Sequence, residues 1–382
     1  MIFFPSKNRN ALNGLPFDPE EITGTAMVNP HYPSVSVAHG TEVLIDSGAF
    51  QARDLRRRLH PMEALDRQTA FASRLAAGAR GLKLRVVTYD MLLGVDEALT
   101  ADGERVKRRG DARTAAGAVT QTMWSASLYA ERREALRRAG VGLCFAAQGA
   151  TVEQYLRCTR ALLDVMEEGD WFAFGGFCIV GMQPSLKPQF VATVAAVLPL
   201  LAARGIRRAH ILGVCVHDAL LAAAALGRAH GVVLSTDSSS IEVNSVHGKE
   251  WRAEHMDSSP RGGPWRKVWG KEAKRAPGGY HPCTLALENI ARFSAWARGL
   301  ADSDAAPRVP IPAYVPLAAA PRLVCPWCFA GPAAPGACVR CGARVVTPAE
   351  AARVDDTAAR ARVLALRPAA APAQLGLFQE AA

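Results

Sequence analysis

Three short apolar runs in this 382-residue chain each end in a carboxylate: "EVLIDSG" at Asp46, "LRVVTYD" at Asp90 and "GVVLSTD" at Asp237. A fourth run, "GLCFAAQG", leads to Gln148, and a fifth, "WFAFGGF", to the pair Gly175 and Gly176. Carboxylates held in unlike environments divide labour, one ionised as a nucleophile while another keeps a proton as a general acid. An ionised carboxylate also accepts from the donor edge of a purine, amide donors meet its carbonyl, and an aromatic ring stacks on its face. Each Asp has a plainer reading, because a strand followed by Asp is a common helix-capping arrangement. The set argues for a site where any single member does not.

Four of the nine cysteines form a second group, Cys325-x2-Cys328 and Cys338-x2-Cys341. Paired knuckles at this spacing put four thiolates around one tetrahedral ion, so a structural zinc with no open ligand position is expected, against a cytosolic redox pair or free thiols. Cys144, Cys158, Cys178, Cys215 and Cys283 are scattered through apolar surroundings, where small buried thiols are the default.

The carboxylates must be placed by strands. "EVLIDSG", "LRVVTYD", "GLCFAAQG", "WFAFGGF", "RAHILGV" and "GVVLSTD" have strand length, and stretches such as "PMEALDRQTAFASRLAAG" and "TVEQYLRCTRALLDVMEEG" between them have helical spacing. Runs apolar enough to be covered on both faces, alternating with helices, predict a parallel sheet. Six units, with room for one more before ("AMVNP") and one after ("CTLALENIARFSAWA"), fit a (β/α)8 TIM-type barrel better than an open sheet, which would more often show a Gly-rich phosphate loop. Asp46, Asp90, Gln148, Gly175, Gly176 and Asp237 all fall at C-terminal strand ends, the rim that carries active sites in such barrels.

The barrel is expected over residues 1–300, followed by an Ala/Pro-rich linker at 301–322, a four-cysteine zinc module at 323–345, and a helix with a flexible tail over 346–382. Residues 249–280 read as a long irregular basic insertion, with three Trp and eight Lys or Arg against four acids. Arg261, Arg266, Lys267, Lys271, Lys274 and Arg275 are its candidates for gripping phosphates; a solvated loop with Trp anchors is the alternative. "RDLRRR" (53–58) and "RVKRRGDAR" (105–113) either extend that surface or form exposed helix faces. The balance of 45 Lys and Arg against 35 Asp and Glu gives +10, which favours polyanionic partners. The first residues lack a signal peptide's basic start and long apolar core, and the longest apolar stretch is broken by Pro199, so a soluble cytoplasmic protein with no membrane contact is expected.

Taken in order, these motifs resemble the tRNA-guanine transglycosylases and their relatives, the 7-deazaguanine DNA transglycosylases. "DSGAFQ" looks like the family's Asp-Ser-Gly-Gly-Phe/Tyr-Gln, "TYD" like its base-reading Asp, "AAQG" like its Gln-Gly, "FGGF" like its Gly-Gly-Leu and "HILGV" like its Leu-Met-Gly-Val. "STDSSS" sits where its nucleophilic Asp belongs, and order and spacing agree from about residue 40 to 300. The resemblance implies that Asp237 attacks C1′ of a nucleotide and expels guanine, while Asp46 protonates the departing base and deprotonates the incoming one. It further implies that Asp90 reads N1 and the 2-amino group, that Gln148 and the Gly176 N–H donate to O6, and that Phe50 and Leu212 sandwich the base. Ser47, Gly175 and Gly213 complete the expected base pocket.

Several positions depart from the family pattern. Ala49 replaces a Gly, Tyr89-Asp90-Met91-Leu92 stands for Phe-Asp-Glu-Cys, and the segment after Asp237 is Ser-rich instead of Cys-Val-Met-Pro-Thr-Arg. The first motif arrives early, implying that an N-terminal portion of the tRNA enzymes is lacking. Their zinc ligands, Cys-x-Cys-x2-Cys and a later His within the barrel, are missing too; that region holds Cys283, His255 and His281. The tail segment "QLGLF" resembles the bacterial sliding-clamp-binding pentapeptide, with Gln374, Leu375, Leu377 and Phe378 as the partner-binding residues. That motif tips the expectation toward DNA, with a 7-deazaguanine as incoming base. The same chemistry on tRNA, or a non-catalytic nucleic-acid-binding relative, are the alternatives, and intact Asp46 and Asp237 oppose the last.

Overall fold

The structure, a computed structural model, describes residues 1–7, 19–32, 34–49, 59–91, 95–99, 105–109, 112–178, 186–253, 264–267 and 282–300. The chain divides into two units, 1–318 and 319–382, and all described residues belong to the first. The described strands are β1 (Ile2–Lys7), β2 (Thr25–Val28), β3 (Glu42–Ile45), β4 (Lys83–Val87), β5 (Val95–Leu99), β6 (Arg105–Arg109), β7 (Val141–Ala147), β8 (Trp171–Phe174), β9 (Arg208–Ile211), β10 (Val233–Ser238), β11 (Lys249–Trp251) and β12 (Trp265–Lys267). Eight of them close a barrel in the order β1-β2-β3-β4-β7-β8-β9-β10, with β10 returning to β1, and every pairing in it is parallel.

The expected eighth unit at "CTLALENIARFSAWA" is instead part of the helix Pro282–Gly299. Its buried Leu285, Ile290, Phe293 and Ala297 recur at helical spacing and form one stripe. The missing strand is "IFFPSK" at the N-terminus, which inserts between β10 and β2. Alternation explains how it serves both layers: Phe3 packs outward, edge-on to Phe293 at 4.7 Å, while Phe4 points into the barrel.

Inside, side chains from alternate positions fill the barrel as a packed core. Phe4, Met27, Leu44, Val87, Cys144, Ala146, Trp171 and Ala173 form this inner cluster, separate from the larger cluster between sheet and helices. Near the N-terminal ends of the strands the Trp171 ring lies between two guanidiniums, Arg208 at 4.3 Å and Arg85 at 4.6 Å from its centre, and Arg208 pairs with Glu42 at 2.7 Å. Such cation–π contacts hold two charges at the edge of an apolar core without stranding them.

Local sequence fixes the rim. The helix Val152–Val165 begins at Thr151, whose hydroxyl accepts from the Gln154 N–H, while the Gln154 side chain accepts from the Ala150 N–H. This reciprocal capping anchors the turn that follows Gln148. The helix Pro61–Gly78 has Pro61 in its first turn and His60 as its cap.

Both basic segments differ from expectation. The ends of the 249–280 insertion pair as an antiparallel ribbon, Lys249 opposite Lys267 and Trp251 opposite Trp265, with Trp251 buried against Phe293. "RVKRR" (105–109) is a strand paired with β5, not a helix face. No described helix is long and apolar enough to cross a membrane.

Candidate active site

The C-terminal ends of β1, β2, β3, β4, β7, β9 and β10 and the turns after them bring Ser6, Asn29, Asp46, Asp90, Gln148, His210, Gly213 and Asp237 to one rim. Asp237, buried on β10, does not cap the helix after it, whose cap position is Ser239. Its carboxylate turns inward. Oδ1 accepts from the Gly213 N–H at 2.8 Å and lies 3.1 Å from His210 Nε2, while the Ser6 hydroxyl donates to Oδ2 at 3.4 Å. Gly213 is required there on two counts: φ is +71°, and an added Cβ would lie 2.7 Å from Cys178 Cβ.

Asp46 follows β3 and is half-buried. Asn29 donates to its Oδ2 at 2.7 Å. Burial pushes its carboxyl up to about 7, and the negative charges of Asp90 and Asp237 push in the same direction, against hydrogen bonds from the Gly48 and Ser47 N–H groups. Near neutrality Asp46 therefore both holds and releases a proton, which a general acid that must later act as a base requires.

Asp90 is buried beside it, accepting from Ser47 at 3.4 Å and from the Gln148 amide nitrogen in a short contact. Burial raises its carboxyl as well, opposed by the Gln148 and Ser47 hydrogen bonds. Gln148 is fully buried and its Oε1 has no hydrogen-bond partner. The amide expected to meet a base carbonyl here donates to Asp90, and because an amide nitrogen carries two hydrogens it can hold Asp90 and meet that carbonyl together.

The glycine pair after β8 is a steric necessity. A Cβ on Gly175 would fall 2.6 Å from Gln148 Nε2 and 2.7 Å from Asp90 Oδ2, and one on Gly176 would fall 2.4 Å from Gln148 Oε1 at a φ of +78°. Gly176→Ala is expected to cost about 1–2 kcal/mol of stability from the left-handed backbone alone. It should also displace the Gln148 amide, weakening base binding about 10- to 100-fold. Thermal melting and titration with free base check the two effects separately.

Leu212 is half-buried against the inner cluster. Its expected counterpart, Phe50, lies outside the described residues. Of the candidate phosphate contacts, Arg266 and Lys267 are exposed on β12, while Arg261, Lys271, Lys274 and Arg275 lie outside the described residues. So do Cys325, Cys328, Cys338 and Cys341, the linker, and Gln374, Leu375, Leu377 and Phe378 of the tail. Among the described residues no group of three or more His, Cys, Asp or Glu is placed to hold a metal ion. Cys144 and Cys158 are buried free thiols, as expected, and burial pushes both up to about 12.

Sequence reading missed Ser6, Asn29 and His210. Ser6 was hidden in a strand not recognised as one. His210 was legible by alternation in "RAHILGV", where Arg208, His210 and Leu212 share a face.

No protein-family model and no curated protein matches this sequence. A solved structure described as L-ribulose 3-epimerase is similar at 16% identity and a TM-score of 0.33, covering 81% of this chain and 99% of that one. The barrel assignment rests on the strand pairing itself.

Proposed function

We propose that this protein exchanges a base in a nucleic acid, replacing guanine in DNA with a 7-deazaguanine such as the 7-cyano form. The observation that carries this reading is the inequality between two carboxylates of one rim. Asp237 has one oxygen held by fixed donors, and Asp46 has its carboxyl raised to about 7 beside it. In the first step an Asp237 oxygen lone pair forms a bond to C1′. The glycosidic C1′–N bond breaks with its electron pair going to the base, which takes a proton from Asp46. In the second step the incoming base gives a proton to Asp46 and displaces the Asp237 carboxylate. Two displacements at C1′ retain its configuration. Asp90 and Gln148 supply an acceptor and an amide for the purine edge, and the unpartnered Gln148 Oε1 is consistent with a pocket completed by a ligand.

Four thiolates in paired knuckles suit a closed zinc site, so Cys325, Cys328, Cys338 and Cys341 are proposed to hold a structural zinc that takes no part in the chemistry. "QLGLF" favours DNA and a sliding clamp as partner, since a tRNA enzyme has no obvious use for it. Radiolabelled guanine and 7-cyano-7-deazaguanine, each offered with DNA and with tRNA, test the reading. Label is expected in DNA. Label in tRNA alone would transfer the chemistry to that substrate, and label in neither would refute base exchange.

A further inference from the structure

His210 is fully buried, and no role for it is known from its position in the sequence. Its ring stands at the level of the proposed nucleophile. Nε2 is 3.1 Å from Asp237 Oδ1, Nδ1 is 2.9 Å from Ser235 Oγ, and Phe4 meets the ring edge-on at 5.4 Å. Strand register explains the placement: on the inward face His210 lies between Ser235 of β10 and Ala173 of β8. Asp237 is the next inward position beyond Ser235 toward the rim.

A carboxylate only accepts hydrogen bonds, so the ring nitrogen facing Oδ1 carries the hydrogen, while Nδ1 contacts the Ser235 hydroxyl, which also reaches the Ala209 carbonyl at 3.3 Å. Oδ1 then receives two donors from one side of its strand, His210 Nε2–H on β9 and the Gly213 N–H in the turn after it. From the other side, Ser6 of β1 meets Oδ2 at 3.4 Å, its one partner among the described residues. We infer that His210 is a positioning residue that, together with Gly213, clamps Oδ1 of Asp237, fixes the carboxylate plane and leaves Oδ2 as the attacking oxygen. This rests on the base-exchange reading for the identity of the attacked carbon, but the clamp itself does not.

The clamp acts on rate more than on binding. A carboxylate free to rotate about its Cβ–Cγ bond still permits base and nucleic acid to bind. It spends less time with a lone pair aligned on C1′, and small misplacements of a reacting group cost about 100-fold. His210→Met removes the donor while filling a similar volume, and His210→Gln keeps an amide donor able to reach toward Oδ1. The expected result is a loss in kcat of about 100-fold in His210→Met with KM for the free base nearly unchanged, and partial recovery in His210→Gln. A residue that merely fills the barrel would give equal effects in both variants, tracking their melting temperatures, and that pattern overturns the proposal.

A second measurement needs no turnover. In spectra of protein carrying 15N-histidine, His210 is expected to show a protonated Nε2, with the Nε2–H signal moved by Asp237→Asn. A proton on Nδ1 alone, leaving Nε2 bare, would refute the clamp. If the wild-type protein exchanges no base, the base-exchange reading fails, and the imidazole spectrum decides the positioning role by itself.

Discussion

Asp237→Asn is expected to abolish base exchange, lowering kcat by about 10⁴-fold or more. The amide preserves size and can still sit between His210 and Gly213, yet it has no anionic oxygen to offer C1′. With its oxygen accepting from His210 and Gly213, its NH2 group takes the place of Oδ2, where the Ser6 hydroxyl can accept from it. Denaturing gels should show a covalent adduct between wild-type protein and its nucleic acid when the incoming base is withheld, and none with the variant. Normal turnover by Asp237→Asn would remove this residue from the mechanism. Binding of nucleic acid should survive, since exposed Lys and Arg side chains carry that affinity.

Asp46→Asn is expected to slow adduct formation by about 10²- to 10⁴-fold, because the departing base then leaves without a proton. The pH profile separates this from a packing effect. With its carboxyl near 7, wild-type Asp46 is protonated below neutrality, so the rate of adduct formation should be flat there. Above about pH 7 it should fall about tenfold per unit. The asparagine variant should be slow and flat throughout. Stability should also fall with rising pH, over a wider range. The folded pKa is raised above the unfolded one, so folding takes up a proton between the two values. The wild-type protein is relatively most stable at acid pH and loses that advantage as pH rises from about 4 through about 7. Asp46→Asn carries no such loss, so at pH 8 it should be the more stable protein, by on the order of 3 kcal/mol. A variant that melts lower than wild type at pH 8 would contradict the origin assigned to the raised carboxyl.

The strands that were legible in the sequence were those whose burial on both faces leaves an uninterrupted apolar run, such as "GLCFAAQG" and "GVVLSTD". Asp46, Asp90 and Asp237 stood out because a charge ended each run. β1 was not legible, because "IFFPSK" is equally a short apolar start, and only closure of the sheet shows that β10 and β2 need a strand between them. The C-terminal stretch read as a further repeat because its apolar residues were counted without weighing their helical spacing. His210 was obscured by the opposite bias: a polar residue inside an apolar strand reads as a blemish until the register sets it beside Asp237. Pairing between Gln148 and Asp90 was beyond sequence altogether, since it depends on how β4 and β7 lie side by side in the closed sheet.

Below the rim the barrel is filled by side chains, with Phe4 edge-on to the Trp171 indole and Val87, Leu44 and Cys144 in the same cluster. On the base-exchange proposal both bases therefore use one ledge, the rim that carries Asp46 and Asp90. Two bases that use the same ledge must take turns. On that proposal the outgoing base leaves before its replacement docks. Traffic of that kind gives parallel-line double-displacement kinetics, and it makes each base a competitive inhibitor of the other. The direction of net replacement is then set by which base is more abundant and by the relative stability of the two glycosidic bonds, since affinity at Asp90 changes rates and not the equilibrium.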